Sequence, residues 1–219
     1  MKKFGFIFFS LFAFSFFIFS CSFTKKFNVE INEIGTYPHP LIKPLPIKVG
    51  VYYGNDFGTF ETTQKLEIRN TLRQLICTYI DNIKMGKANI ALFDYILHHV
   101  FKEVTLVQNF SEDSEDMKNV DLIIKPTIHK YSYNNFYAAS PMESAICIIY
   151  EISFYSPNGE PIKPWLVEGN GSKLFNIKIG KTDVIELIQM AMRQVAAKFM
   201  TDFCNQEDIK KLFYRECNQ

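Results

Sequence analysis

Residues Ala145–Tyr155 read AICIIYEISFY, and SPNGEPIKPWLVE continues the chain to Glu168. Apolar side chains occupy every second position of the first run, a period that is typical of a strand with one buried face. Pro157-Asn158-Gly159 is a turn signal, and a second extended run follows from Ile162 to Glu168. The stretch predicts a long β-hairpin whose buried face carries Ile146, Ile148, Tyr150, Ile152 and Phe154.

Three earlier runs also predict strands. IKVGVYY at Ile47–Tyr53 alternates and is rich in β-branched residues, Glu103–Val107 is a short extended run, and VDLIIKPTI at Val120–Ile128 is typical of a buried strand. Pro126 lacks a backbone donor, which places this part of the last strand at a sheet edge or a bulge.

Helical spacing of apolar residues appears in three places. One stripe runs from Ile68 to Ile83 and ends at Gly86, and a second runs from Ile90 to Phe101. Thr182 can cap a third helix, and Asp208–Cys217 suits a last short one. The clearest stripe belongs to the third helix and comprises Val184, Leu187, Ile188, Ala191, Met192, Val195, Phe199 and Phe203.

These elements predict an α/β (α+β) fold, with a single mixed sheet that contains the long hairpin and is covered by about three helices. A length of 219 residues suits one such domain plus appendages. We assign the domain to residues 47–219, a tether to 21–46 and a leader to 1–20. Pro38, Pro40, Pro44 and Pro46 favour an extended tether, the alternative being that Val29–Asn32 pairs as an edge strand.

The leader has a basic start, Met1–Lys3, and an uncharged run, Phe4–Ser20, as in a secretory signal peptide or a short membrane span. Ile18-Phe19-Ser20-Cys21 resembles the lipobox of bacterial lipoproteins. The resemblance implies cleavage after Ser20 and acylation of Cys21 with palmitate-like chains, giving a lipid anchor in the cell envelope. Ser22, in place of Asp, implies by the same resemblance the periplasmic side of the outer membrane.

Charge excludes one class of function. The net charge is +1, and removal of residues 1–20 would leave one more acidic than basic side chain. Nucleic-acid binding through a basic surface is therefore not expected, nor is binding of anionic headgroups through bulk charge.

The order of elements also resembles a group of envelope lipoproteins whose domain is similar to the N-terminal domain of TolB. The group includes the curli-secretion lipoprotein and the lipoprotein activators of penicillin-binding proteins. The resemblance covers roughly Ile47–Phe203 and rests on the strand Asp121–Ile124 and on the turn and aromatic residue of Tyr155–Trp165. It implies an accessory or scaffold role without catalytic residues.

The sequence contains no enzyme motif, and we expect the protein to have no enzymatic activity, no cofactor and no metal site. His98 and His99 are neighbours on a helix and point about 100° apart, which does not suit two ligands of one metal ion. After Cys21, the cysteines are Cys77 and Cys147, which we interpret as small buried residues, and Cys204 and Cys217, which we predict to form a disulfide in an oxidising compartment.

A polar and aromatic segment is the predicted contact for a protein partner. It contains Tyr131, Tyr133, Phe136 and Tyr137, which either face a partner or fold back on the sheet. The preferred function is thus a lipid-anchored module that binds another envelope protein. The alternative is a carrier of a lipid or small ligand, which needs a deep apolar pocket. A hydrolase is the least favoured interpretation.

Overall fold

The computed structural model describes residues 23–32, 43–70, 75–111, 114–136, 142–175 and 181–218. The predicted signal peptide, the cleavage position Ser20 and the lipidation site Cys21 lie outside these residues. The described residues form two compact units. One comprises 23–28, 63–70 and 75–82, and the other comprises the remaining ones.

The described residues of the first unit belong to a three-stranded sheet with the order β1-β4-β3. Its strands are β1 (Phe23–Glu30), β3 (Glu61–Asn70) and β4 (Leu75–Lys84). The long helix predicted over Ile68–Ile83 is therefore wrong. The apolar spacing fits a helix, but the run LICTYIDNIK is rich in β-branched and aromatic residues, which favour a strand.

The described part of the spacer predicted at 21–46, residues 23–32 and 43–46, also differs from the structure. Phe23–Glu30 is a strand. The alternative in which Val29–Asn32 pairs as an edge strand is therefore correct for Val29 and Glu30. Val29 and Ile31 are 1% and 2% exposed, and the Ile31 N–H donates a 3.0 Å hydrogen bond to the Lys84 carbonyl. Apolar burial at alternate positions explains why this segment is not a solvated spacer.

The second unit is built on a five-stranded sheet in the order β5-β2-β6-β7-β8. Its strands are β2 (Leu45–Val51), β5 (Phe101–Leu106), β6 (Leu122–Phe136), β7 (Met142–Tyr155) and β8 (Pro161–Phe175). Strand β2 runs parallel to β5 and β6, while β6, β7 and β8 are antiparallel. The α/β class is confirmed, but the described residues contain two sheets where one was predicted.

The predicted hairpin is confirmed as β7 and β8. Gly159 has φ of +83°, which suits glycine in the turn. The five alternating residues from Ile146 to Phe154 are each at most 1% exposed. Pro126 pairs with Ile152 on β7. It lies beyond Ile124, the last residue of β6 that pairs with β2, so its missing N–H does not interrupt the pairing of β6 with β2.

The helices are α1 (Asn55–Gly58), α2 (Gly86–Val100), α3 (Glu115–Lys118), α4 (Lys181–Asp202) and α5 (Glu207–Leu212), with 3-10 turns at Phe203–Asn205 and Glu216–Asn218. Gly86 begins α2 rather than ending a helix. The eight-residue stripe predicted for the third helix is buried throughout. None of the helices in the described residues is long and apolar enough to cross a membrane.

Helix α4 lies directly on β8 at two glycines. A Cβ atom at Gly169 would overlap the Ala191 carbonyl oxygen, and one at Gly171 would overlap that of Leu187. Gly169 and Gly171 both lie within strand β8. The two glycines allow a close approach between the helix and the sheet.

Candidate functional site

The described part of the aromatic segment predicted as a partner contact belongs to strand β6. Tyr131 and Tyr133 lie on β6 opposite the buried Ile148 and Ile146 of β7, and both are half-buried against the main core. Alternation with polar Ser132 and Asn134 explains the strand. Phe136 is the last residue of β6, and Tyr137 lies outside the described residues. The structure thus favours the alternative in which Tyr131 and Tyr133 fold back.

A different set of aromatic residues meets at the other face of the sheet. The ring of Phe110 lies 5.4 Å from that of Tyr52 and 4.7 Å from that of Tyr155, measured between centroids. Lys125 places its Nζ atom 5.7 Å from the Tyr52 centroid and 5.5 Å from the Phe110 centroid. We call these four half-buried residues the aromatic–lysine cluster.

Three segments distant in sequence position the three rings of this cluster. Tyr52 directly follows β2, and its N–H donates a 3.0 Å hydrogen bond to the Ile124 carbonyl. Phe110 follows β5, and Tyr155 ends β7 opposite Ile123. A small second core beneath the rings holds them in place and consists of Val107, Met117, Val120 and Ile123.

A cavity of about 520 Å³ adjoins the cluster beyond the carboxyl end of β2. Tyr52 and Lys125 belong to both, and the cavity is further lined by Asn55, Asp56 and Thr127. An ammonium group between aromatic rings, beside amide, carboxylate and hydroxyl groups, can bind a partner that combines an apolar surface with polar groups. The arrangement has the chemistry of a binding surface.

The sequence carried a partial signal for this site. Tyr52 lies at the end of the predicted strand Ile47–Tyr53, and Phe110 follows the predicted strand Glu103–Val107. The two strands are parallel in the structure, and the carboxyl ends of parallel strands meet at one sheet edge. Tyr155 and Lys125 could not be added without the register of β6 and β7.

The predicted cysteine pair is joined in the structure. Cys204 and Cys217 form a disulfide with Cα atoms 5.4 Å apart. A cavity of about 310 Å³ lies beside it. The apolar lining of this cavity includes Leu45, Val100 and Phe203, and Lys43 and Glu216 also line it.

Cys147 has a free thiol and is half-buried, not enclosed in the core. Cys147 alternates with Ile146 and Ile148 along β7, so its side chain lies on the other face of the sheet. Its cross-strand neighbours are Ser132 and Asn170. Burial raises the pKa of the thiol, and the nearby Glu168 carboxylate adds to this shift. The thiol is therefore held in its less reactive protonated form.

His98 and His99 each contact a backbone carbonyl of their own helix. His98 Nδ1 lies 2.8 Å from the Asp94 carbonyl oxygen, and His99 Nδ1 lies 2.7 Å from that of Tyr95. Among the described residues, no group of three or more His, Cys, Asp or Glu side chains could hold a metal ion.

A comparison with protein families finds no match, and a comparison with curated proteins finds none either. Similar solved structures include a minor lipoprotein of Acinetobacter baumannii, with 9% identity, coverage of 73% of this chain and 92% of the other, and a TM-score of 0.40. A putative neuraminyllactose-binding hemagglutinin homolog of Helicobacter pylori has 9% identity, coverage of 81% and 97%, and a TM-score of 0.42.

The hypothetical protein CT253 of Chlamydia trachomatis is a third similar structure. It has 9% identity, coverage of 74% of this chain and 99% of the other, and a TM-score of 0.36. Similarity at this level does not assign a function to the chain.

Proposed function

We propose that this chain is a lipid-anchored lipoprotein of the bacterial envelope whose α/β domain binds another envelope protein without catalysing a reaction. The proposal of an anchor rests on the uncharged run Phe4–Ser20 and on the lipobox-like Ile18-Phe19-Ser20-Cys21 at its end. The binding role rests on the aromatic–lysine cluster. Two or more acyl chains hold a protein stably on a membrane, so the domain needs no transmembrane helix for this role.

The cluster has the chemistry of a protein-contact surface. Tyr52, Phe110 and Tyr155 present ring area from short loops and strand ends that are fixed by the sheet, so little conformational entropy is lost on binding. Lys125 adds a cation over the rings of Tyr52 and Phe110. Tyrosine is one of the residue types enriched at the few positions that dominate binding energy.

Metabolic labelling with an alkyne analogue of palmitate tests the anchor. The wild-type chain is expected to carry the label in its membrane fraction, and Cys21→Ser is expected to lose it. Cys147→Ser is the matched control, because this free thiol lies within the folded domain, and it should keep the label. An unlabelled wild-type chain would overturn the anchor.

Site-specific photo-crosslinking tests the partner. A photoreactive phenylalanine analogue at Phe110 is expected to capture one envelope protein in stoichiometric yield, and Lys125→Ala is expected to reduce that yield. The same analogue at the exposed Leu166 of β8 is the control. Equal capture from both positions, or none from Phe110, would contradict the proposal.

The cavity beside Cys204–Cys217 favours a second candidate, a carrier of a lipid or small apolar ligand. Its volume of about 310 Å³ is at the lower end of the range for small-molecule sites. Native mass spectrometry of the protein extracted from membranes distinguishes the candidates. A bound small molecule that is lost on Val100→Trp would support the carrier.

A further inference from the structure

The cavity of about 520 Å³ beyond the carboxyl end of β2 combines apolar surface with charges of both signs. We call it the β2 cavity. Its apolar lining consists of Tyr52, Phe57, Phe60 and Ile128, and its polar lining consists of Asn55, Asp56, Lys125 and Thr127. A concave site of this volume, with apolar walls and a few polar groups, is typical of a small-molecule site.

The two charged groups of the β2 cavity do not neutralise each other. Among the described residues, no salt bridge joins Asp56 or Lys125 to the other or to a third group. The contacts of Lys125 Nζ with the Tyr52 and Phe110 rings, at 5.7 and 5.5 Å, leave its charge in place. One cation and one anion that line the same cavity without pairing are complementary to a molecule that carries both charges.

The backbone holds both charged residues in fixed places. Asp56 lies in α1, whose Phe57 is 3% exposed and stacks on Tyr53 with ring centroids 5.8 Å apart. Lys125 lies on β6, where it pairs with Ser153 of β7. The positions of the two charges along the chain are thus set before a ligand arrives, which lowers the entropic cost of binding.

We propose that the β2 cavity binds an amino acid or short peptide whose termini are both charged, with its ammonium on Asp56 and its carboxylate on Lys125. The rings and Ile128 would take an apolar side chain of the ligand. Thr127 Oγ1 donates a 3.3 Å hydrogen bond to the Glu151 carbonyl and keeps its lone pairs as acceptors for a peptide N–H.

A phosphoethanolamine headgroup carries the same two charges and is the other source of this chemistry. It has no apolar side chain between its charges, so the aromatic lining of the β2 cavity favours the peptide. The inference goes beyond the proposed function, because it requires neither the lipid anchor nor a protein partner. Binding in the cavity and at the aromatic–lysine cluster would share one ammonium group, that of Lys125.

Calorimetric titration of the full chain in a non-ionic detergent tests the inference, with alanylphenylalanine as the added ligand. We expect one dipeptide per chain, and a loss of about five-fold in affinity for each of Asp56→Asn and Lys125→Gln. Lys102→Gln removes an exposed cation of β5 outside the cavity and is the matched control. The purified chain has no partner present, so this result and the crosslinking from Phe110 can fail independently.

Blocked forms of the dipeptide assign each charge to its residue. N-acetylalanylphenylalanine lacks the ammonium, so its affinity should not change on Asp56→Asn. Alanylphenylalanine amide lacks the carboxylate, so its affinity should not change on Lys125→Gln. Equal affinity for the free and both blocked dipeptides, or no binding of the free dipeptide, would overturn the inference. Tighter binding of glycerophosphoethanolamine than of the dipeptide would assign the cavity to a lipid headgroup and overturn it as well.

Gly54→Leu reduces the space in the β2 cavity with little expected effect on the fold. Gly54 lines the cavity, its φ of −62° suits any residue, and nothing lies within 4 Å of an added Cβ atom. The variant should lose dipeptide binding and keep the denaturation midpoint of the wild type. Unchanged affinity in Gly54→Leu would place the dipeptide elsewhere on the protein, against the inference.

Discussion

The hydroxyl of Tyr150 donates a 2.8 Å hydrogen bond to Asn89 Oδ1, and both side chains are fully buried between α2 and the sheet. The Nδ2 group of Asn89 has no partner among the described residues. This bond connects the first long helix of the five-stranded unit to the centre of the predicted hairpin. A buried amide is costly unless its polar atoms are bonded.

Removal of this hydroxyl should destabilise the protein. Tyr150→Phe keeps the ring contacts with Phe57 and Phe93 but leaves Asn89 Oδ1 unpaired. We expect a loss of about 1–3 kcal/mol in the free energy of unfolding, measured by chemical denaturation. Tyr155→Phe, which changes a half-buried tyrosine, should change it far less. An Asn89→Leu, Tyr150→Phe double variant that is no more stable than Tyr150→Phe would contradict this account.

The two glycines of β8 should not tolerate a side chain. Gly169→Ala and Gly171→Ala would each drive a Cβ atom into the backbone of α4. We expect each variant to lose about 3 kcal/mol or more, or to fail to fold, as followed by thermal unfolding. Gly54→Ala is the matched control, since nothing lies within 4 Å of its new Cβ. Equal stability of all three variants would show that α4 does not contact β8 in this way.

The sequence predicts the parts of this fold in which the spacing of apolar residues along one strand or helix matches a single buried face. The hairpin β7–β8 and helix α4 are of this kind. The strands β3 and β4 were missed because Ile68, Leu72, Leu75 and their successors satisfy helical spacing, while the opposing signal of β-branched residues is weaker over a short run. Tertiary pairing decided between the two.

The candidate site was less predictable for a related reason. Tyr52, Phe110 and Tyr155 come from three separate segments and meet only through the order and register of the sheet. The close approach at Gly169 is also invisible in the sequence, because it depends on where α4 packs. Local patterns contain neither kind of information.

Alkaline pH should reveal a half-buried tyrosine, Tyr53. The Tyr53 hydroxyl donates a 2.7 Å hydrogen bond to Asp94 Oδ1. Burial raises the pKa of Tyr53 above its ordinary value of 10.0, and the hydrogen bond and negative charge of Asp94 raise it further. The folded state thus keeps the proton that the unfolded chain releases, so this stabilisation is complete below pH 10 and declines as the pH rises above it.

Tyr53→Phe should remove this part of the pH dependence. Denaturation between neutral pH and about pH 11 is expected to give a steeper fall in stability for the wild type than for the variant. Tyr214→Phe, at a 65% exposed position, should behave as the wild type. Parallel curves for the wild type and Tyr53→Phe would refute the contribution of Tyr53.

The disulfide should contribute to stability and should be found in the exported protein. Cys204 and Cys217 are 13 residues apart, and a loop of this size corresponds to roughly 3 kcal/mol of chain entropy. We expect Cys204→Ser, Cys217→Ser to unfold at a lower denaturant concentration, and Cys147→Ser to change it little. Peptide mapping without reductant should recover the bridged peptides; two free thiols in protein from the envelope would count against the bridge.

The free edge of β8 should be protected from pairing with other chains by two side chains of α4. Gln194 Oε1 accepts a 2.6 Å hydrogen bond from the Asn170 N–H, and Lys198 Nζ donates a 2.7 Å hydrogen bond to the Glu168 carbonyl. These backbone groups lie near the middle of a 15-residue strand that pairs only with β7 in the five-stranded sheet. An open edge of that length is a template for strand addition.

Removal of the Gln194 and Lys198 side chains should therefore make the protein self-associate. Gln194→Ala, Lys198→Ala exposes the N–H of Asn170 and the carbonyl of Glu168, and we expect a concentration-dependent dimer or larger species by sedimentation velocity. Arg193→Ala removes an exposed cation from the same helix without freeing a backbone group of β8, and should sediment as the wild type. Helix α4 then has two roles, since its apolar face covers the sheet while Gln194 and Lys198 close the edge. Identical sedimentation of the double variant and the wild type would restrict α4 to the first of these.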